Sequence, residues 1–278
     1  MAAILDAVSA GSDGGATRED LLAPLRAEPA RAAILTDVDG TLAPIVARPE
    51  QAAVPAEARN ALAALSERYG LVGCVSGRRA VEARRLVGVE GIAYSGNHGL
   101  ELLLPGEQEP RLDPALERPD AAASFLTRLD GEALAAAGLR IEDKGPIQAL
   151  HWRGADDEAG AEALAQEVAE RAREAGLHPH WGRKVLELRP LAEVGKDRTV
   201  RALVQPSMTA AVYAGDDTTD LDAFRGLREL RAAGGLRTAL CVGVVSPEAP
   251  AELAAESDLT VDGPAGWLAI LRGLAERA

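Results

Sequence analysis

The chain has 278 residues, 47% of them apolar but only 3% aromatic, so it can bury a sizeable core built mostly from Ala, Leu and Val. With 43 acidic against 30 basic residues its formal charge is −13, which excludes nonspecific binding to nucleic acid, because phosphate backbones are gripped by clusters of Lys and Arg. No apolar run approaches the roughly 18 residues of a membrane span, and the opening MAAILDAVSAGSDGG lacks the basic stretch of a secretory signal, so a cytoplasmic protein is expected.

Residues 1–30 carry few structure signals, and AGSDGGAT within them reads as a variable lead-in. The run Ala33-Ile34-Leu35 is apolar without alternation, as in a strand buried on both faces of a parallel sheet. After a loop, Ala58, Ala61, Leu62, Leu65 and Tyr69 fall on one helical stripe, with Pro55 near its start and Gly70 at its end. Leu71–Val75 reads as a second buried strand, AVEARRLVG as a short helix, and Ile92–Tyr94 as a third strand. Cys74 in the second strand and Cys241 downstream lie in apolar runs and read as reduced core residues.

The stretch from about 110 to 190 differs. Its strand candidates come in pairs, LRIEDK with IQALHWR and LHPHW with KVLELRP. Helical stretches near Ala122–Leu129 and Glu158–Ala175 precede the pairs, which makes an αββ unit twice over. Beyond it the alternation resumes: DRTVRALVQP is a helix, TAAVYAGDD a strand ending in acids, LDAFRGLREL a helix, and TALCVGV and DLTVDG short strands. Strands alternating with helices predict a doubly wound parallel-sheet α/β core of Rossmann-like kind. The expected division is a lead-in over 1–30, a core over 31–109 and 191–278, and an inserted α+β cap over 110–190.

Open α/β sheets bind ligands at the carboxyl ends of their strands. Four polar clusters fall there or at a nearby helix start: Asp37/Asp39/Thr41, Ser76/Gly77/Arg78, Lys196, and Asp216/Asp217/Asp220. Clustered carboxylates repel one another and stay ionised only beside a cation. A few hard oxygen ligands with room for water suit Mg²⁺. Ser76 and the amides beside Gly77 form a small anion-binding concavity, and Lys196 adds a point charge. The set fits a phosphoryl group held beside Mg²⁺ and facing an aspartate nucleophile, with a second aspartate as acid and base. Each piece has a plainer explanation alone. Asp37 and Asp39 fit a turn, Ser76-Gly77 a strand-to-helix corner, and Asp217 or Asp220 a helix cap. A calcium loop is excluded, because its sixth position would be Leu42 and its twelfth Arg48.

DVDGT, VSGR, a lone Lys opening a helix, and GDDTTD, in that order, resemble the four motifs of the haloacid dehalogenase-like hydrolases. GNHGLE, EDKGPIQALHWR, KVLELRP and GDDTTDLDAF are similar, more narrowly, to the trehalose-6-phosphate phosphatase family, and the resemblance covers about Ile34 to Asp262. It implies an Mg²⁺-dependent phosphatase acting on a small sugar phosphate, with Asp37 as nucleophile and metal ligand, Asp39 as acid and base with its backbone carbonyl on the metal, and Asp216 as a further metal ligand. It implies that Thr41, Ser76, Gly77, Arg78 and Lys196 serve the phosphate and the nucleophile. Asn97, His98, Lys144, His151, Glu187 and Arg189 would meet the sugar. The chain departs from the usual family pattern at Gly195, Asp197 and Leu221, where Asn, Gly and Glu are frequent.

Residue by residue, Glu187 alternates with Leu186 and Leu188 and so points away from both, either to solvent or to a ligand. Lys144 and His151 serve equally as partners for neighbouring acids, and Trp152 and Trp181 as packing. The rival functions are a phosphatase of another sugar phosphate, of sucrose or glucosylglycerol type, and a non-catalytic phosphosugar-binding protein on the same fold. A phospho-accepting receiver domain would be much shorter and would lack the insertion. The sequence leaves the oligomeric state open.

Overall fold

The computed structural model describes residues 16–46, 51–190, 194–247 and 249–276. They form two compact units, one from the residues up to Arg111 together with those from Gly195 onward, the other from Leu112–Val194. In chain order the first unit begins with α1 (Arg18–Ala27), β1 (Ala32–Thr36), α2 (Ala56–Ser66), β2 (Leu71–Val75), α3 (Ala80–Val87), β3 (Ala93–Gly96) and β4 (Glu101–Leu103), followed by a two-residue β5 (Arg111–Leu112). The second unit runs α4 (Ala121–Leu126), α5 (Gly131–Ala136), β6 (Arg140–Lys144), β7 (Ile147–His151), α6 (Glu158–Glu174), β8 (His178–Gly182) and β9 (Val185–Arg189). The first unit resumes with α7 (Lys196–Leu203), β10 (Ala210–Gly215), α8 (Asp220–Ala232), β11 (Thr238–Val245), α9 (Ala251–Ala255), β12 (Leu259–Asp262) and α10 (Gly263–Ala275).

The large sheet has the order β12-β11-β10-β1-β2-β3-β4-β5. Pairing is parallel from β12 through β3, and β4 joins antiparallel. Its central strands are buried on both faces, and their residues alternate between two apolar layers. Ala32 and Ile34 of β1 and Ala210, Val212 and Ala214 of β10 pack with α1, α2, α3 and α10. Ala33, Leu35, Ala211 and Tyr213 pack with α7 and α8 on the other side. This double burial is why the strand runs carry no polar alternation. From β1 the chain proceeds outward to β2 and β3 on one side, and from β10 to β11 and β12 on the other. The β1/β10 boundary is therefore a topological switch point, where the carboxyl ends open a crevice. Thr36 pairs with Ala214, and the Asp37 N–H donates to Ala214 O at 2.8 Å, so the two strands end level.

The second unit is an antiparallel sheet in the order β6-β7-β9-β8. Leu150, Trp152, Leu186 and Leu188 pack on α4, α5 and α6 in one apolar core. Alternation then turns Glu142, Lys144, His151, Glu187 and Arg189 to the opposite face. A parallel-sheet core with an inserted αββ-αββ α+β cap is thus the architecture, as expected.

One local expectation is corrected and one helix is added. The lead-in holds α1 over Arg18–Ala27. Thr17 Oγ1 accepts from the Asp20 N–H, and the Asp20 carboxylate accepts from the Thr17 N–H, which makes a capping box; Leu22 and Leu25 are buried. Residues 1–15 of that lead-in lie outside the described residues. The helix expected near Ala122–Leu129 is α4, and a further helix follows it: Asp130 accepts from the N–H groups of Glu132 and Ala133 and starts α5. Cys74 and Cys241 are free and buried, and burial pushes both thiols up, Cys241 to about 12. Among the described residues no helix is long and apolar enough to cross a membrane.

Gly70 closes the turn between α2 and β2. A Cβ there would stand 2.3 Å from the Ala30 carbonyl oxygen, a backbone atom that cannot swing aside. Gly70→Ala is expected to destabilise the fold by about 1–3 kcal/mol. Gly131→Ala, with nothing within 4 Å of its Cβ, is expected to be neutral or stabilising by up to about 1 kcal/mol. Urea unfolding of the two variants checks this, and a Gly70→Ala protein as stable as the parent would contradict it.

Candidate active site

Asp37 follows β1 and Asp216 follows β10, so the switch point carries two acids from distant parts of the chain. Gly40 has φ +88°, and a Cβ on it would lie 2.0 Å from Asp216 Oδ2. Only glycine lets the turn after Asp37 fold against the Asp216 carboxylate. Thr41 Oγ1 donates to Asp216 Oδ1 at 2.9 Å. Lys196, the first residue of α7, is 2% exposed; its Nζ donates to Asp37 Oδ1 and Asp220 Oδ1, each at 2.6 Å.

Asp220 is fully buried. Sequence reasoning placed it in the polar cluster with Asp216 and Asp217, with a helix cap as the plainer alternative, and left its role open. Its Oδ2 instead accepts from the N–H groups of Asp216 and Asp217, both at 3.0 Å, and its Oδ1 accepts from Lys196 and from the Tyr213 hydroxyl at 2.7 Å. It holds the turn that presents Asp216. The signal was its place four residues after Asp216 at the head of α8, one helical turn away.

Oxygens of Asp37, Asp216 and Asp220 lie within 4.8 Å of one another, with one lysine among them. Burial raises Asp37 well above the usual carboxylate range, and repulsion from Asp220 and Asp216 adds to this, against the pull of Lys196. Burial, then Asp220, pushes Asp216 up to about 7. Burial alone would lower Lys196, but attraction to Asp220 and Asp37 outweighs it and leaves the ammonium more strongly protonated than usual. Three carboxylates against one ammonium leave two negative charges uncompensated in a buried place. That deficit fits a divalent cation. Asp220 has four donors already, so Asp37 and Asp216 are the residues suited to hold it. Hard oxygen donors in small number match an ion that keeps several waters.

Beside this cluster, Arg78 grips Asp39 in a bidentate pair, Nε to Oδ2 at 2.8 Å and Nη2 to Oδ1 at 2.7 Å. The Asp39 carboxylate is thereby turned to Arg78, and it is not part of the three-acid cluster. Ser76 Oγ accepts from the Arg78 N–H at 3.1 Å, which shapes the turn after β2. The next loop is clamped onto that turn: the His98 N–H donates to Ser76 O at 3.1 Å and the Asn97 N–H to Arg78 O at 2.8 Å. Asn97, His98 and Gly99 all have positive φ, 50°, 55° and 107°, a costly run for two non-glycine residues. A Cβ on Gly77 would lie 2.7 Å from His98 Cε1, so the imidazole covers this glycine. Buried Glu101, which sequence reasoning missed, accepts from the Ala80 N–H at 2.8 Å and steadies the start of α3.

In the second unit Glu187 joins Lys144 Nζ at 3.0 Å and the Arg189 guanidinium at 2.7 and 3.0 Å. His151 Nε2 lies 2.7 Å from Glu142 Oε2, and the bond holds the Glu142 carboxyl below its usual range. His180 is across from Glu187; burial, then Arg189, lowers its pKa. Trp152 and Trp181 meet edge to face, centroids 5.9 Å apart. The polar face of this sheet is a charge network of hydrogen-bonding side chains.

The Asp216 shift has a sign. Its folded value of about 7 lies above the ordinary 3.8, so the stabilisation from its bound proton is complete below about pH 4 and is lost as pH rises through about 7. Asp37 acts in the same direction. In EDTA the Tm should fall across this window, and Asp216→Asn should flatten the fall. An identical slope in the variant would contradict the geometry. An added divalent cation should raise Tm by an amount that grows with pH over the same window.

A family model described as trehalose-phosphatase matches residues 35–256. The chain is 34% identical over 232 residues to a trehalose-phosphate phosphatase of Mycobacterium avium (strain 104), a match covering 80% of this chain and 55% of that protein. It is 35% identical over 206 residues to an uncharacterized glycosyl hydrolase of Mycobacterium tuberculosis (strain CDC 1551 / Oshkosh), covering 71% of this chain and 15% of the relative. It thus spans about half, or less, of the length of these curated relatives. The structure of the C. albicans trehalose-6-phosphate phosphatase C-terminal domain superposes with a TM-score of 0.73 at 23% identity, over 94% of this chain and 98% of that one, a likeness of fold. The chain belongs to the trehalose-phosphatase family.

Proposed function

We propose that the chain is an Mg²⁺-dependent phosphatase that hydrolyses trehalose 6-phosphate to trehalose and phosphate through an aspartyl-phosphate on Asp37. One observation carries this: in a chain of the trehalose-phosphatase family, Asp37 at the switch point is buried with Lys196 on one oxygen and Asp216 alongside. Phosphate monoesters are among the slowest esters to hydrolyse, and their enzymes reach accelerations up to ~10²¹. Splitting the reaction through a covalent aspartyl-phosphate divides that barrier.

Asp37 attacks phosphorus with one carboxylate oxygen and leaves the other to its cationic partners; the bond from phosphorus to Asp37 forms as the bond from phosphorus to the sugar oxygen breaks. The third proton of the Lys196 ammonium, two being given to Asp37 and Asp220, serves a phosphoryl oxygen. Ser76 and the amide of Gly77 bind a second phosphoryl oxygen. Arg78 exchanges the Asp39 carboxylate for phosphate. The freed Asp39 takes up a proton from solvent, gives it to the leaving sugar oxygen to make the hydroxyl, and then takes a proton from the water that attacks the aspartyl-phosphate and releases phosphate. Thr41 holds Asp216 in place. Asp37 and Asp216, with the backbone carbonyl of Asp39, would hold Mg²⁺, which when bound neutralises charge on the transferring group. Asn97, His98, Lys144, His151, Glu187 and Arg189 recognise the neutral disaccharide through its hydroxyls. The reaction belongs in the cytoplasm, and the substrate is a small molecule rather than a nucleic acid or a membrane.

Asp37→Asn is expected to keep the fold and lower phosphate release from trehalose 6-phosphate by ~10³-fold or more. An active Asp37→Asn protein would overturn the covalent route. Glu187→Ala is expected to raise KM for trehalose 6-phosphate by about 10-fold, the loss of a charged hydrogen-bonding group, while hydrolysis of a small aryl phosphate stays close to that of the parent. Equal effects on both substrates would make Glu187 structural. Turnover confined to sucrose 6-phosphate or to a monosaccharide phosphate would replace the substrate named here.

A further inference from the structure

We infer that Tyr213 is a positioning residue of this site: by sharing Asp220 Oδ1 with Lys196, its hydroxyl keeps that lysine divided between Asp220 and Asp37. The inference rests on the proposed reaction and extends it to a strand residue with no place among its motifs.

Tyr213 lies in the middle of β10, level with Leu35 on β1 and Cys241 on β11, among apolar neighbours. Its ring packs edge to face on Phe224 of α8, centroids 6.1 Å apart at 79°. A phenylalanine ring would fill the same space. The hydroxyl is thus the part that packing does not call for, and burying a hydroxyl is unfavourable unless it is hydrogen-bonded. It donates to Asp220 Oδ1 at 2.7 Å. The same oxygen accepts from Lys196 Nζ at 2.6 Å, while Oδ2 accepts from two backbone N–H groups. Asp220 has about four acceptor sites, and all four are used. With its charge spread over four donors, Asp220 does not draw Lys196 wholly to itself, and Lys196 reaches Asp37 at the same 2.6 Å.

Removing the hydroxyl leaves Oδ1 with Lys196 alone. The ammonium is then drawn toward Asp220 and away from Asp37, with two consequences. Asp37 is less neutralised, so a divalent cation on Asp37 and Asp216 is held more tightly. Lys196 also serves the phosphoryl group less well, so turnover slows. A loosened fold would do otherwise, weakening cation binding and turnover together.

The test uses the full chain, Mg²⁺ titration calorimetry and steady-state kinetics on trehalose 6-phosphate. Tyr213→Phe, which keeps the ring, is expected to lower kcat by about 10-fold with KM changed less than about twofold, and to tighten the Mg²⁺ Kd by about threefold, the scale of one hydrogen bond to a charged group. Phe224→Leu disturbs the packing but leaves the hydroxyl. It is expected to lower Tm while kcat and the Mg²⁺ Kd stay within about twofold, the range of indirect effects. The inference falls if Tyr213→Phe matches the parent, if it weakens Mg²⁺ binding, or if Phe224→Leu reproduces its kinetics. A parent chain that neither binds Mg²⁺ nor releases phosphate would instead overturn the proposed reaction, and this inference with it.

Discussion

One buried ammonium held between two buried carboxylates, Lys196 with Asp37 and Asp220, is the constraint on which the rest of the site depends. Charges taken out of water are tolerated only when closely paired, and leaving one unpaired costs roughly 3–5 kcal/mol. The three residues come from the end of β1, the first turn of α7 and the first turn of α8. They meet because β1 and β10 are neighbours at the switch point and end level. The pairing thus ties the connectivity of the sheet to the chemistry of its edge. Asp216 brings a third carboxylate to a place already one negative charge in excess, and the added charge suits the site to a cation.

Much of the fold was legible because the core strands are buried on both faces. Ala33-Ile34-Leu35 and Leu71–Val75 read as strands for that reason, and β2 has those bounds. Asp37, Lys196 and Asp216 were legible as site candidates because each stands where an apolar run stops or a helix opens. Glu187 points away from Leu186 and Leu188, as strand alternation requires, and both leucines lie in the second unit's core. Lys144 and His151 each meet an acid, a pairing that the sequence allowed without selecting it.

Other features were illegible for physical reasons. An acid in the first turn of a helix reads as a cap, and nothing local shows that Asp220 reaches back to the turn before it or across to Lys196. The Arg78–Asp39 pair joins residues 39 apart, and spacing cannot supply such a contact. Tyr213 looked like one more apolar strand residue, because its hydroxyl matters only through a partner on α8. The capping box of α1 was hidden at the edge of a glycine-rich run, where a short polar signal is outweighed by its surroundings. The left-handed turn at Asn97 and His98 needs backbone coordinates, since neither residue demands positive φ by its chemistry.

Strain and buried charge are concentrated where chemistry is proposed: a left-handed pair at Asn97 and His98, glycines at 40 and 77 where a Cβ would crowd the Asp216 carboxylate and the His98 ring, and carboxylates raised toward neutrality by burial. The measurement that goes most directly to the centre of this account is phosphate release from trehalose 6-phosphate by chain stripped of metal, followed as Mg²⁺ is added back. The account predicts no release without the cation and saturable recovery with it. Release that continues undiminished in EDTA would contradict it.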